Sequence, residues 1–154
     1  VFKSTDRGNN WTQINNGLDS LETNILTVDP NDSETLYLGT DDDGVYKSTD
    51  GGESWKKLTV SSLSKSFGVG DIIVDPQNSN NIYIGTVDYF RLSESRGVLG
   101  DFGVYKSTDG GATWEEFNVG LNHLGVFSLE LSEENRILYA GTRAGGVYWI
   151  SLDN

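Results

Sequence analysis

The stretch Ser48-Thr49-Asp50-Gly51-Gly52-Glu53-Ser54-Trp55 decides how this chain is read. It recurs as Ser107-Thr108-Asp109-Gly110-Gly111-Ala112-Thr113-Trp114 and, more loosely, as Ser4-Thr5-Asp6-Arg7-Gly8-Asn9-Asn10-Trp11. All three fit Ser-x-Asp-x-Gly-x-x-Trp. Their aspartates are separated by steps of 44 and 59 residues. A pattern repeated at long spacing defines an architecture ahead of any single residue.

The repeat is wider than the string. Each copy follows an apolar residue, an aromatic and a lysine: Val1-Phe2-Lys3, Val45-Tyr46-Lys47 and Val104-Tyr105-Lys106. A Tyr-x-Gly-Thr element occurs at Tyr37–Thr40, Tyr83–Thr86 and Tyr139–Thr142, and Asp-Pro at Asp29-Pro30 and Asp75-Pro76. The extra length of the second step lies between Thr86 and Gly103. Without it the unit is roughly 45 residues and holds four short β-branched and aromatic runs, the pattern of a β-propeller blade. In the first full unit these runs are A (Ile25 to Val28), B (Leu36 to Leu38), C (Val45 to Lys47) and D (Trp55 to Leu58). No window has sustained helical periodicity, so helix is not expected.

The expected fold is therefore all-β, with blades of four antiparallel strands and about three blades present. Residues 1–17 supply strands C and D of one blade, and 18–59 a full blade. Residues 60–118 supply another with an insertion at 87–102, and 119–154 a terminal blade without its own box. Three blades do not close a ring of about 4 to 8, so completion by a longer chain or by oligomerisation is expected.

The box reads as the C–D turn. Gly8, Gly52 and Gly111 are expected at positive φ, which only glycine adopts at no steric cost. Asp6, Asp50 and Asp109 are expected to accept hydrogen bonds from amides two or three residues on, with Ser4, Ser48 and Ser107 assisting. Trp11, Trp55 and Trp114 open strand D and are expected to fill the wedge between blades, each ring stabilising by about 2–3 kcal/mol when buried. Asp-Pro ends strand A, because proline offers no amide for pairing. Three copies, one per blade, argue that these acids are structural rather than catalytic.

On these residues the chain resembles the Asp-box, or bacterial neuraminidase repeat, propeller superfamily. That group includes sialidases, sortilin-type receptors, xyloglucan-cleaving hydrolases and photosystem II assembly-factor-like proteins. The fuller run of Asp-Pro, Tyr-x-Gly-Thr and the box is most similar to the xyloglucanase-like and assembly-factor-like branches, over essentially the whole chain. One fold hosts many activities. A sialidase resemblance would imply an arginine triad; Arg7, Arg91, Arg96, Arg136 and Arg143 do not match one, and Phe90-Arg91-Leu92 lacks the expected proline.

Composition narrows the partners. The 154 residues carry 23 acids against 11 bases, a net charge of −12. That opposes nucleic acid and anionic membrane, whose partners must neutralise phosphate. No apolar run is long enough to span a bilayer. The absence of cysteine excludes disulfides and thiolate chemistry. No cofactor is implied. The acidic, Asn/Ser/Thr/Gly-rich loops suit an extracellular, periplasmic or cell-surface setting.

In the resembling propellers the B–C and D–A loops share the ligand-bearing face, opposite the boxes. The B–C loops here are individual: Asp41-Asp42-Asp43-Gly44, the long Val87–Phe102 segment, and Arg143-Ala144-Gly145. Long insertions in economical repeats tend to be functional. Tyr89, Phe90 and Phe102 offer stacking surface to a sugar or protein, and Arg91, Glu94, Arg96, Asp101 and Arg143 offer polar contacts. The competing reading is packing on a neighbouring blade.

Asp41 and Asp43 are the weak candidates for calcium, which needs six to eight oxygens; three consecutive acids in a hairpin do not converge on one ion, so no metal is expected. Asp71 begins the second A strand, where the other units have Ile25 and Phe127, and is the weak catalytic candidate. His123 is the only histidine. The first reading is a non-catalytic binding or assembly module, its partner a protein, a glycan or further copies of itself. The alternative is a segment of a xyloglucanase-like glycoside hydrolase, with two carboxylates about 6–10 Å apart for inversion. The third is a self-assembling subunit with open blade edges.

Overall fold

The computed structural model describes residues 1–63, 67–89 and 101–153. Phe90, Arg91, Glu94 and Arg96 lie outside the described residues. All regular structure among the described residues is strand. β1 (Phe2–Lys3) and β2 (Thr12–Gln13) form a two-stranded sheet. The next sheet has the order β3 (Thr23–Asp29), β4 (Asp32–Thr40), β5 (Val45–Ser48) and β6 (Lys56–Lys57). The third runs β7 (Gly68–Val74), β8 (Ile82–Val87), β9 (Val104–Ser107) and β10 (Glu115–Glu116). β11 (Val126–Ser132), β12 (Ile137–Thr142) and β13 (Gly146–Ser151) form the last. Every pairing is antiparallel between chain neighbours. These are successive blades of a partial β-propeller.

The core lies between blades. Tyr37 and Val45 of one blade meet Ile72, Ile82, Ile84 and Tyr105 of the next. Tyr83 and Val104 meet Leu129, Leu131 and Leu138. Both faces of the middle blade are covered, which is why β8 is buried throughout and why the Ile82–Val87 run is apolar rather than alternating.

Each box forms the same cage. The serine hydroxyl donates to the aspartate (2.9, 2.7 and 2.8 Å for Ser4, Ser48 and Ser107) and accepts the glycine amide four residues on (2.8, 2.9 and 2.9 Å). Gly8, Gly52 and Gly111 have φ of 86°, 90° and 94°. The aspartate reaches further than the sequence suggests. It accepts from the amide four residues on, at Asn10, Ser54 and Thr113 (2.8, 2.9 and 2.8 Å), and from that residue's own side chain (2.6, 2.5 and 2.6 Å). Left-handed residues before the tryptophan widen the loop by that step. The seventh position of the box is thus a second anchor, and its only sequence signal is a side-chain donor in all three copies.

The cage lowers each carboxyl. Hydrogen bonds from the side chains of Ser54 and Thr113, then from the neighbouring serines and amides, bring Asp50 and Asp109 down to about 2, and Asn10 leads the lowering at Asp6. A depressed acid stabilises the fold above its unfolded value near 3.9 and loses that contribution as pH falls through the folded value. Asp50→Asn and Asp109→Asn are therefore expected to flatten the acid limb of a stability–pH profile between about 4 and 2. The measurement is the urea midpoint across that range; an unchanged limb would contradict the cage.

The first box carries Arg7 at φ 61°, where its sisters have Gly51 at 65° and Gly110 at 73°. A side chain in this left-handed conformation costs roughly 1–2 kcal/mol. Arg7→Gly is expected to raise stability by about 1 kcal/mol, read as an increase in Tm.

The wedge expectation holds for two tryptophans and fails for the third. Trp55 and Trp114 are 5% and 7% exposed, whereas Trp11 is 63% exposed. Each buried ring packs against the blade before its own: Trp55 Nε1 donates to Ile14 O at 2.9 Å, and Trp114 shares a cluster with Tyr37, Val45 and Leu58. No preceding blade covers Trp11 among the described residues.

Candidate functional site

Two sets of loops separate onto opposite faces. Gly51 N donates to Glu34 O (2.9 Å) and Gly110 N to Asn80 O (3.0 Å), so the boxes share a face with the A–B turns. On the other face Asp41 N donates to Glu22 O (2.8 Å), Gly44 N to Phe67 O (3.0 Å) and Arg143 N to Gly125 O (2.8 Å). This second face gathers the B–C and D–A segments.

Strand register explains what points into it. Thr23, Val69 and Val126 occupy one register position; the next paired residues are Ile25, Asp71 and Ser128. Asn24, Gly70 and Phe127 are the extra residues of a bulge in each first strand. Asp71 thus matches Ile25 and Ser128, not Phe127 as simple alignment suggests, because the turn joining the first two strands is one residue shorter in the last blade, where Leu131 pairs with Leu138, than in the others, where Val28 pairs with Leu36 and Val74 with Ile82. Bulges re-aim side chains and favour functional rims. Here they turn Asn24 and Phe127 toward Tyr89: Tyr89 and Phe127 meet edge to face at 6.0 Å, and the Asn24 side chain lies near the Tyr89 hydroxyl. Between them Gly70 leaves room; a Cβ there would lie 2.1 Å from the Val126 carbonyl oxygen.

Tyr89 and Phe127 are 39% and 41% exposed and form an aromatic platform. The Arg143 guanidinium sits 5.2 Å from the Phe127 ring centre, donates to the Asp88 carbonyl and lies 4.0 Å from Asp101. Asp101 in turn accepts the Asp88 amide at 2.8 Å. Arg143 and Asp101 therefore brace the platform. Phe102 does not join it: the ring packs into the core, and its amide donates to Thr86 Oγ1 at 2.9 Å.

The three consecutive acids diverge. Asp43 accepts from the Tyr46 hydroxyl and the Lys57 ammonium. Asp42 accepts from Ser20 Oγ at 3.1 Å. Asp41 receives no side-chain hydrogen bond among the described residues; burial, then the charges of Glu22 and Asp42, push its carboxyl up. It lies beside the platform: a Cβ built on Gly68 would meet Asp41 O at 2.6 Å and Tyr89 Cδ2 at 2.9 Å. Burial also pushes the Tyr89 hydroxyl up, with the charges of Asp41 and Asp71 adding to it. No group of three or more His, Asp or Glu suited to a metal occurs among the described residues.

Asp71 is committed to backbone. One oxygen accepts from Ile72 N and the other from Leu129 N, both at 2.8 Å, so the carboxylate ties β7 to β11. Burial raises its pKa despite these two amides. Glu22, Asn24 and Phe127 are the site residues that the sequence motifs do not mark.

The fold and its cages define an Asp-box β-propeller segment. A family profile described as "Sortilin, neurotensin receptor 3" matches residues 1–149, and the chain belongs to this Sortilin-Vps10 family. It is similar to a xyloglucanase of Paenibacillus sp, 30% identical over 136 residues, covering 74% of this chain and 13% of that protein. It is equally similar, 30% over 142 residues, to xyloglucanase Xgh74A of Acetivibrio thermocellus, covering 75% of this chain and 16% of that one. Among solved structures it superposes on an ancestral GH74 enzyme with TM-score 0.75 at 24% identity, covering 96% of this chain and 19% of the other. The Niastella koreensis GH74 enzyme gives TM-score 0.68 at 27% identity, covering 98% and 24%. The chain thus spans under a quarter of the length of these relatives. No helix among the described residues is long and apolar enough to cross a membrane.

Proposed function

We propose that this chain is a segment of an extracellular or cell-surface glycoside hydrolase acting on xyloglucan-type glycans, with Asp41 and the Tyr89–Phe127 platform on its glycan-facing side. Sequence alone ranks a non-catalytic module first; the named xyloglucanases among the relatives weigh for the hydrolase segment instead. The observation that carries the reading is the pairing on one loop face of the Asp41 carboxyl, raised by burial and without a side-chain hydrogen bond among the described residues, with the exposed Tyr89 and Phe127 rings. Aromatic faces stack on the apolar faces of sugars, and a raised carboxyl suits a general acid. Asp71 fits less well, since both its oxygens already hold amides.

The test separates binding from chemistry. Tyr89→Ala is expected to weaken binding of a xyloglucan oligosaccharide to this chain by about tenfold, measured by calorimetry. In a protein carrying the whole propeller, Asp41→Asn is expected to lower hydrolysis by about 10²–10⁴-fold with binding retained. Because the Asp41 carboxyl is raised, its acid form persists to higher pH than an ordinary aspartate, and activity falls as pH rises through that value. Unchanged hydrolysis in Asp41→Asn would remove it from the mechanism.

A further inference from the structure

The head of β7 differs from its counterparts where the candidate site lies. Gly70 and Asp71 stand where the preceding blade has Asn24 and Ile25 and the following blade has Phe127 and Ser128. The middle blade thus has no side chain at its bulge and a carboxylate at the next position. The missing side chain matters for spacing. A Cβ on Gly70 would lie 2.1 Å from Val126 O and 3.0 Å from Phe127 Cα. Both contacts are to backbone, so any side chain at this position would push β11 away from β7. Two residues earlier, Gly68 admits Asp41 and Tyr89 in the same way, its Cβ position lying 2.6 Å from Asp41 O and 2.9 Å from Tyr89 Cδ2.

Asp71 holds the same two strands together. Leu129 N donates out of its own sheet to Asp71 Oδ2 at 2.8 Å, and Ile72 N donates to Oδ1 at 2.8 Å, which fixes the direction of the carboxylate. Hydrogen bonds to an ionised acceptor are roughly twice as strong as neutral ones. Between the first full blade and the middle one the link is different: Thr27 Oγ1 donates to Ile72 O at 2.9 Å. Ile72 and Leu129 are equivalent, pairing with Ile84 and Ala140. Each interface therefore grips the same residue of the following strand, but the second grips it through a carboxylate beside the bulge.

Phe127 lies between these two holds, with Gly70 against its backbone and Asp71 on Leu129, two residues further on. We propose that Asp71 is a positioning residue of the aromatic platform. It draws the β11 bulge against β7, Gly70 sets how close the strands come, and the Phe127 ring is thereby kept edge to face with Tyr89. The inference rests on the reading of that pair as the glycan-facing platform, and it gives Asp71 a part that needs no proton transfer. Rings already held in their binding geometry lose little freedom when a ligand stacks on them, which favours affinity.

Asp71→Ile and Asp71→Ser introduce the residues that the neighbouring blades place at this position, so neither is foreign to the fold. Neither offers Leu129 N the carboxylate oxygen, whereas Asp71→Asn keeps one side-chain oxygen able to accept from it. Nuclear Overhauser contacts in the ligand-free chain test the role. The Tyr89–Phe127 ring contact is expected in the wild type, lost in the Ile and Ser variants, and recovered in Asp71→Asn. The Tyr83–Phe117 contact, 5.8 Å between ring centres, is expected to stay in all four. A Tyr89–Phe127 contact that persists in the Ile or Ser variant overturns the proposal. So does its absence from Asp71→Asn, or the joint loss of both ring contacts in the Ile and Ser variants. With a xyloglucan oligosaccharide, Asp71→Ser is expected to weaken binding about tenfold, and to cost nothing further in a Phe127→Ala background; a full further loss in that background also overturns it. Binding left unchanged by Tyr89→Ala removes the glycan reading instead, and the ring contacts still decide the role of Asp71.

Discussion

Arg136→Ala is expected to destabilise the protein by about 3–5 kcal/mol, the cost of leaving a buried charge without its partner. Asp75 is fully buried, and Arg136 clamps it with two parallel bonds, Nη1 to Oδ1 at 2.9 Å and Nη2 to Oδ2 at 2.6 Å. The clamp joins the turn after β7 to the turn before β12 and so locks the middle blade to the last. Burial alone would raise the Asp75 carboxyl, but the Arg136 hydrogen bonds, with the Gln77 amide and Asn81 side chain, bring it below its ordinary value. Asp75 in the wild type therefore contributes stability above the unfolded value near 3.9, and that contribution is lost as pH falls through the lower folded value. Without Arg136 the sign reverses. Burial then dominates, the folded carboxyl is raised, and acidification relieves part of the damage. Denaturant melts at two pH values read both effects. A loss under about 1 kcal/mol, or a variant that does not recover toward acid, would show that Asp75 is hydrated.

Trp114→Ala and Trp11→Ala are expected to differ widely although the boxes around them are alike. Trp114 is 7% exposed among Val45, Val60 and Tyr105, and its Nε1 donates to Gly111 O at 3.1 Å. Truncating such a ring opens a cavity and costs about 3–5 kcal/mol. Trp11 is 63% exposed, and its removal in dilute monomer is expected to change stability by within about 0.5 kcal/mol. Against a total of roughly 5–15 kcal/mol the first loss is large. Chemical denaturation of the two variants side by side reads the contrast. Equal costs would mean that Trp11 is covered in solution.

Much of the fold is legible because its determinants are local and repeated. Glycine at positive φ, a serine and an aspartate at fixed spacing, and a proline after strand A each act within a few residues, so their effect survives without knowledge of neighbours. The number and order of strands follow. The reach of the aspartate to the fourth residue is less legible, because it depends on the left-handed residues of the loop rather than on composition.

The candidate site is only partly legible for the opposite reason. Tyr89, Asp101 and Arg143 stand out as loop residues, but their grouping with Asn24 and Phe127 comes from bulges that one-dimensional alignment hides. Asp71 looks anomalous in sequence, yet its neighbours in space are two amides. Asp41, Asp42 and Asp43 look equivalent in sequence; among the described residues Ser20, Tyr46 and Lys57 engage the second and third and leave the first.

The sequence by itself determined the blade, the cage that turns each hairpin and the acidic surface, since these rest on backbone preference and net charge within single units. Tertiary structure decided which tryptophans a neighbouring blade buries, which acids are tied up by hydroxyl, ammonium and amide donors, and which loop residues meet at the aromatic platform. Those outcomes depend on what the adjacent blade places within a few ångströms, and burial, pairing and electrostatic environment belong to neighbours that spacing along the chain does not specify.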